Sequence, residues 1–131
     1  MGKRIRAQRK GSSPRYRVRS HRFPGSNRMP RENDIVGEVT ELIHSPVHSA
    51  PLARLKLPDG DTTLVVATEG LSVGSNVAVG NNVSLRPGNI TSIGNIPEGT
   101  AINNLELRPG DGGKVARSAG ISCYVEAKIG E

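Results

Sequence analysis

Cysteine occurs once in this 131-residue chain, tryptophan is missing, and only Tyr16, Phe23 and Tyr124 carry aromatic rings. The lone Cys123 cannot build an internal disulfide framework, so the expected compartment is reducing and intracellular. Long apolar runs are missing as well. The longest, Leu64 to Ala67, has four residues, against the roughly 20 that cross a bilayer as a helix. No membrane partner is expected, and the basic N-terminus is not followed by the apolar stretch of a secretory signal. Asn82-Val83-Ser84 and Asn89-Ile90-Thr91 match the glycosylation pattern and are read, without secretion, as turn residues. With 34% hydrophobic content, the chain can fill one core and carry an appendage.

Acidic residues are missing from the first 31 positions. That segment holds Lys3, Arg4, Arg6, Arg9, Lys10, Arg15, Arg17, Arg19, Arg22, Arg28 and Arg31, a charge of +11 within a chain whose net charge is +6. The remaining residues carry 7 basic and 12 acidic side chains, a net charge of −5. An arm with so few apolar groups and so much self-repulsion is expected to stay extended or disordered until an anion neutralises it. The interspersed Tyr16, His21 and Phe23 suit a nucleic-acid partner.

From Asp34 onward, short β-branched segments alternate with Gly, Pro, Asn and Asp, which predicts an all-β fold. Expected strands are Ile35–Ile43, with a possible bulge at Gly37, then Leu52–Leu57, Thr62–Ala67, Asn76–Val79, Val83–Leu85 and Ala101–Leu107. Ala53, Leu55 and Leu57 share one face of the second strand, and Arg54 and Lys56 the other. Pro58-Asp59-Gly60-Asp61 supplies a hairpin turn. Short twisted strands with one apolar face each remove their edges by closing, so a small OB-type or SH3-type barrel is expected, with a sandwich as the alternative. Leu85-Arg86-Pro87-Gly88-Asn89 and Leu107-Arg108-Pro109-Gly110-Asp111 resemble each other and are read as one turn chemistry used twice. Ile121–Ile129 reads as a strand that either closes the barrel or opens a second domain.

Catalytic and metal-binding patterns are lacking. His44 and His48 are separated by Ser45-Pro46, which breaks a shared helical face, and no cysteine pair could hold zinc. Gly110-Asp111-Gly112-Gly113-Lys114 fails as a phosphate loop, because Arg108 stands where the first glycine belongs and Val115 where a magnesium-binding hydroxyl belongs. No enzyme, cofactor, metal or small-molecule substrate is expected. Gly112, Gly113, Lys114 and Arg117 could instead bring backbone amides and two cations close to a phosphate backbone. The shortage of aromatic rings argues against base stacking on a sheet face and for phosphate, 2′-hydroxyl and shape contacts with structured RNA.

The segment PGDGGKVARSAG, Pro109 to Gly120, resembles the signature of the universal large-subunit ribosomal protein L-two family. GKRIRAQRKG near the N-terminus, HSPVHSAPLA at His44–Ala53, ATEGLSVG at Ala67–Gly74, LRPGN at Leu85–Asn89 and IPEGTAINNLE at Ile96–Glu106 accompany it in the family's order. The short arm and the compact hairpin are most similar to archaeal members. The resemblance implies an OB-fold domain followed by an SH3-like barrel, with basic extensions threaded into large-subunit ribosomal RNA. It makes this chain the N-terminal portion of such a protein, without the histidine-containing tail associated with the peptidyl-transferase centre.

The implied organisation is a basic RNA-binding extension over 1–33, an OB-fold-like barrel over 34–108, a glycine-rich basic loop over 109–120 and the first strand of an incomplete SH3-like barrel over 121–131. Arg4, Arg6, Arg9 and Lys10 match the family's basic opening, and Lys114 and Arg117 its glycine-loop contacts. His48 stands where the family commonly has arginine, which weakens a fixed-charge contact at neutral pH. The full expected RNA-binding set adds Lys3, Arg15, Arg17, Arg19, His21, Arg22, Arg28, Arg31, Arg86, Gly112 and Gly113. The expected function is a cytoplasmic, structural constituent of the large ribosomal subunit whose partners are ribosomal RNA and neighbouring ribosomal proteins. A free OB-fold single-stranded nucleic-acid binder or RNA chaperone is the alternative.

Overall fold

Alternating burial in a computed structural model, which describes residues 2–12, 20–31 and 33–130, divides the chain into strands close to those expected. β1 (Ile35–Ile43), β2 (Leu52–Lys56), β3 (Thr62–Val66) and β4 (Asn76–Val79) form one antiparallel sheet in the order β3-β2-β1-β4. β5 (Ala101–Ile102) and β6 (Cys123–Tyr124) form a second, two-stranded one. The fold is all-β, as expected for a small OB-type barrel.

Each face of β2 buries a different set. Val39, Ala53, Leu55, Val65, Val77 and Val79 make the main core, with Ile35, Ala67, Leu71 and Ile90 packed against it. Leu52 and Val66, which are register partners, make a smaller cluster with Ala50 and Leu64 on the opposite face. Val39, Leu52, Ala53 and Leu55 are fully buried, and each large side chain among them contributes about 1.5–3 kcal/mol.

Neither outer strand presents a bare edge. Along β3, the Arg28 amide donates to the Leu64 carbonyl at 2.8 Å and the Thr63 hydroxyl donates to the Arg28 carbonyl at 2.7 Å. Along β4, Val79 forms a parallel bridge with Ile90, and the Ile90 amide donates to the Ala78 carbonyl at 2.9 Å. The end of the basic arm and the segment after the first RPG turn therefore occupy the positions from which another strand could add.

Several expectations need correction. The register irregularity of β1 falls between Val39 and Glu41, not at Gly37. Gly37 instead sits at a close approach of strands, where a Cβ would be tight at 3.3 Å from the Lys56 carbonyl oxygen. Val83–Leu85 forms no strand, because the Asn89 side chain holds that segment in a turn, donating to the Ser84 carbonyl at 2.8 Å. The expected strand Ala101–Leu107 stops at Ile102, since Asn104 takes a left-handed φ of 54°. The expected strand Ile121–Ile129 is reduced to Cys123–Tyr124, paired with β5, after which Val125 accepts from the Gly99 amide at 2.7 Å and donates to the Thr100 carbonyl at 3.2 Å.

The arm is also not extended throughout. Arg6–Ser12 forms a helix, α1, and Ser20–Arg22 a 3-10 turn. Arg, Ala, Gln and Lys are good helix formers, and no β-branched residue interrupts that run. The hairpin turn stands as expected, with the Gly60 amide donating to the Leu57 carbonyl at 3.0 Å and the Leu57 amide to the Asp61 carbonyl at 2.8 Å.

Leu55→Ala should lower unfolding free energy by about 2–5 kcal/mol, while Lys56→Ala, on the exposed side, should stay within about 0.5 kcal/mol. Urea midpoints of the two variants check this, and equal midpoints would contradict the core assignment.

Candidate nucleic-acid interface

The interface is built around a buried pair of asparagines. Asn27, at the end of the arm, donates from Nδ2 to Asn104 Oδ1 at 2.6 Å, and Asn104 returns a bond from Nδ2 to Asn27 Oδ1 at 3.2 Å. Asn27 Oδ1 also accepts from the Val66 amide of β3 at 3.2 Å, and Asn27 Nδ2 reaches the Gly113 carbonyl at 3.4 Å. Buried amides hydrogen-bonded on several sides are stable, whereas a missing partner leaves a costly orphan. One side chain thus joins the arm, the barrel wall and the glycine-rich loop.

Asn104 in turn requires the loop's glycine. A Cβ on Gly113 would run into the Asn104 side chain and would come within 2.9 Å of its carbonyl oxygen. The strand-like contact beside them consists of the Asn104 amide donating to the Ala116 carbonyl at 3.0 Å and the Leu105 amide to the Val115 carbonyl at 2.9 Å. The loop is held further along by the Ala119 amide, which donates to Ser49 Oγ at 3.0 Å. That bond brings in the segment containing His48, whose Nδ1 lies 2.9 Å from the hydroxyl of buried Ser45.

The two similar RPG segments do form the same turn. The Asn89 amide donates to the Arg86 carbonyl and the Asp111 amide to the Arg108 carbonyl, both at 3.1 Å. Pro follows Arg in each, and Gly88 and Gly110 supply φ values of 93° and 77°, the pattern of a type II turn. The second turn then gains an internal anion. Glu106 accepts from the Gly110 amide through Oε2 and from the Gly112 amide through Oε1, each at 3.0 Å.

Those two amides are therefore already bonded, which changes the expected chemistry of the loop. The groups it offers to an anion are its cations. Lys114 Nζ lies 2.6 Å from Asp111 Oδ2, yet half of its side chain, 50%, is exposed. A pair this open is worth about 0–1 kcal/mol, so a phosphate can compete for the ammonium. Arg117 spends one N–H on the Gly113 carbonyl at 3.1 Å and is otherwise exposed.

Elsewhere the sheet's cations are countered by acids. Arg54 meets Glu41 at 2.6 Å, and Lys56 is the register partner of Glu38. This face offers no net positive stripe and no aromatic platform. Among the described arm residues, Lys3, Arg4, Arg6, Lys10, His21, Arg22, Arg28 and Arg31 are exposed, as is Arg86 on the first RPG turn. Arg15, Arg17 and Arg19, together with the side chain of Arg9, lie outside the described residues. The structure brings Lys114, Arg117, Gly112 and Gly113 together with the arm end at Asn27. His48 joins through the Ser49 contact. Among the described residues, no group of three or more His, Cys, Asp or Glu could hold a metal ion.

Sequence reasoning missed Asn27, Asn104 and Glu106. A signal for Asn104 was present in Asn103-Asn104 at the centre of an expected strand, because asparagine tolerates the left-handed region that ends strands. Asn27 and Glu106 had no local signal, since their partners lie across the fold or are backbone amides.

Two family profiles cover most of the chain. That of the ribosomal proteins L2 RNA-binding N-terminal domain matches residues 2–79, and that of the ribosomal proteins L2 C-terminal domain matches residues 86–131. Curated relatives named large ribosomal subunit protein uL2 are similar over nearly all of it. The one from Natronomonas pharaonis is 44% identical over 93% of this chain and 52% of its own length. Those from Methanopyrus kandleri and Sulfurisphaera tokodaii are 43% and 42% identical, over 95% and 100% of this chain and 53% and 56% of theirs. The chain spans about half the length of the curated relatives it matches.

Asn27→Ala strands the buried amide of Asn104 and should cost about 1–3 kcal/mol, with faster hydrogen exchange at the Val66 amide. Unchanged exchange there would remove Asn27 from the role assigned to it.

Proposed function

Since the chain belongs to the ribosomal protein L2 family, we propose that it is a non-catalytic constituent of the large ribosomal subunit, working in the cytoplasm, where it binds ribosomal RNA and supports subunit assembly and translation. The observation that carries this reading is the meeting of two basic elements. An arm with eleven cations and no acid in its first 31 residues carries, near its end, Asn27, which is bonded to the loop bearing Lys114 and Arg117. Residues 1–33 act as the RNA-binding extension and 109–120 as a second contact, with the barrel holding them in one register. Neighbouring ribosomal proteins are further partners.

The physics divides the labour. Arm cations release counterions from successive phosphates, which gives affinity a steep salt dependence, whereas the loop sets position. Arg4, Arg6, Arg9, Lys10, Arg15, Arg17 and Arg19 supply the first kind of contact and Lys114 and Arg117 the second. A free single-strand binder would need a stacking surface, and the four-stranded sheet carries no aromatic side chain, with Tyr124 on β6 a lone exposed ring.

The structure also determines how the arm should be removed. Residues 25–31 cover β3 and carry Asn27, so deletion should be confined to residues 2–22. That deletion should flatten the slope of log affinity against log salt on a large-subunit ribosomal RNA transcript by several units, at about 0.7–0.9 for each phosphate no longer neutralised. An unchanged slope would show the arm is not the electrostatic element. Equal affinity of the intact chain for a poly-uridine strand would favour the free-binder alternative.

A further inference from the structure

Three features of the molecule have no part in the function proposed so far: the groove between β3 and residues 84–110, the mixed-charge sheet face, and the carboxylate of Glu106. The carboxylate is the unusual one. Most acids of the folded part sit where solvent can screen them, but Glu106 is half-buried and has both oxygens engaged by backbone amides of the glycine-rich loop. N–H groups two residues apart, converging on one anion, form the kind of concavity that elsewhere takes a phosphate. Here a side chain of the same protein fills it.

We propose that Glu106 is a positioning residue for RNA binding: a built-in anion that fixes the glycine-rich loop in its RNA-competent shape and stays in place when RNA binds. This rests on the loop being an RNA contact, as proposed above. The geometry supports permanence over displacement. The same loop is pinned on its other side by the Asn27 and Asn104 contacts to Gly113, and a Cβ at Gly112 would lie 3.3 Å from the Asn27 carbonyl oxygen, so Gly112 has little room to turn outward. With Gly110 and Gly112 facing inward to Glu106, Arg108, Lys114 and Arg117 are left on exposed positions to either side. A carboxylate beside an RNA-binding loop is otherwise hard to justify, since its charge opposes the polyanion.

That opposition makes the test one of sign. Glu106→Gln removes a negative charge and leaves a single acceptor oxygen, with an NH₂ group set against the other amide. Charge alone predicts tighter binding to a large-subunit ribosomal RNA transcript, and so would competition between Glu106 and a phosphate for the amides. Positioning predicts the reverse, a loss of about tenfold with the salt slope reduced by about 1.4–1.8, as Lys114 and Arg117 go out of register with their phosphates. Glu126→Gln, at an exposed carboxylate, controls for charge and should bind no more weakly than the parent.

Hydrogen exchange in the unsubstituted chain gives a second arm that does not depend on how the variant folds. Protection of the Gly110 and Gly112 amides should be present in the free protein and persist in the complex. Loss of that protection on RNA binding, or Glu106→Gln binding as tightly as the parent, overturns the proposal. If Lys114→Ala with Arg117→Ala leaves affinity and slope unchanged, the loop is not an RNA contact, and the reading on which the proposal stands fails first.

Discussion

The bond between Asn27 and Asn104 is the constraint on which the arrangement depends. Seventy-seven positions separate the two residues in the chain. Their paired amides join a segment of the basic arm to the turn that begins the glycine-rich region, and Asn27 adds a bond to β3. Removing water from amides is expensive unless every donor and acceptor finds a partner. Here backbone groups of Val66 and Gly113 supply Asn27 with its further partners. Polar burial of this kind adds modest net stability but strongly favours one register over its neighbours. What it selects here is the placement of two basic segments relative to each other.

Charge is partitioned to match. The barrel and the segments after it are acidic overall, and the sheet's own cations lie beside glutamates, so the exposed cations Arg86, Arg108, Lys114 and Arg117 sit on the two RPG turns and the glycine-rich loop and not on the sheet face. A segment of like charge cannot collapse on itself. It can be anchored, and this one is anchored at its end, where Arg28 and the Thr63 hydroxyl extend the sheet. The same contact covers β3, so one segment meets two demands: it ends the basic arm in a defined place and blocks edge-to-edge association.

Glycine in the loop has two distinct uses. Gly110 supplies the positive φ that a type II turn requires, which any reading of RPG would anticipate. Gly113 is needed because Asn104 occupies the volume of a side chain, a requirement set by a residue nine positions earlier. Although the loop's glycines had suggested amides open to phosphate, Glu106 takes two of those amides and leaves the cations as the exposed chemistry.

The four strands of the main sheet, the hairpin, the recurrent turn and the charge division were readable along the chain, because each depends on alternation, turn residues or side-chain charge within a few positions. Ile35–Ile43 and Asn76–Val79 came out with the bounds observed, for that reason. Where reading failed, the cause was a side chain bonding to backbone or a distant partner: Asn89 holds Val83–Leu85 in a turn. The strand expected from Ala101 ends early because Asn104 turns to meet Asn27, and the one expected from Ile121 pairs only over Cys123–Val125, where it meets Gly99–Ile102. Sequence alone determined a basic arm, an all-β pattern of short segments and a shortage of aromatic rings for base stacking. Only the tertiary structure decided that the arm covers the β3 edge and that an internal carboxylate shapes the loop, since the first rests on partners far apart in sequence and the second on side chain to backbone bonds, and neither leaves a periodic trace.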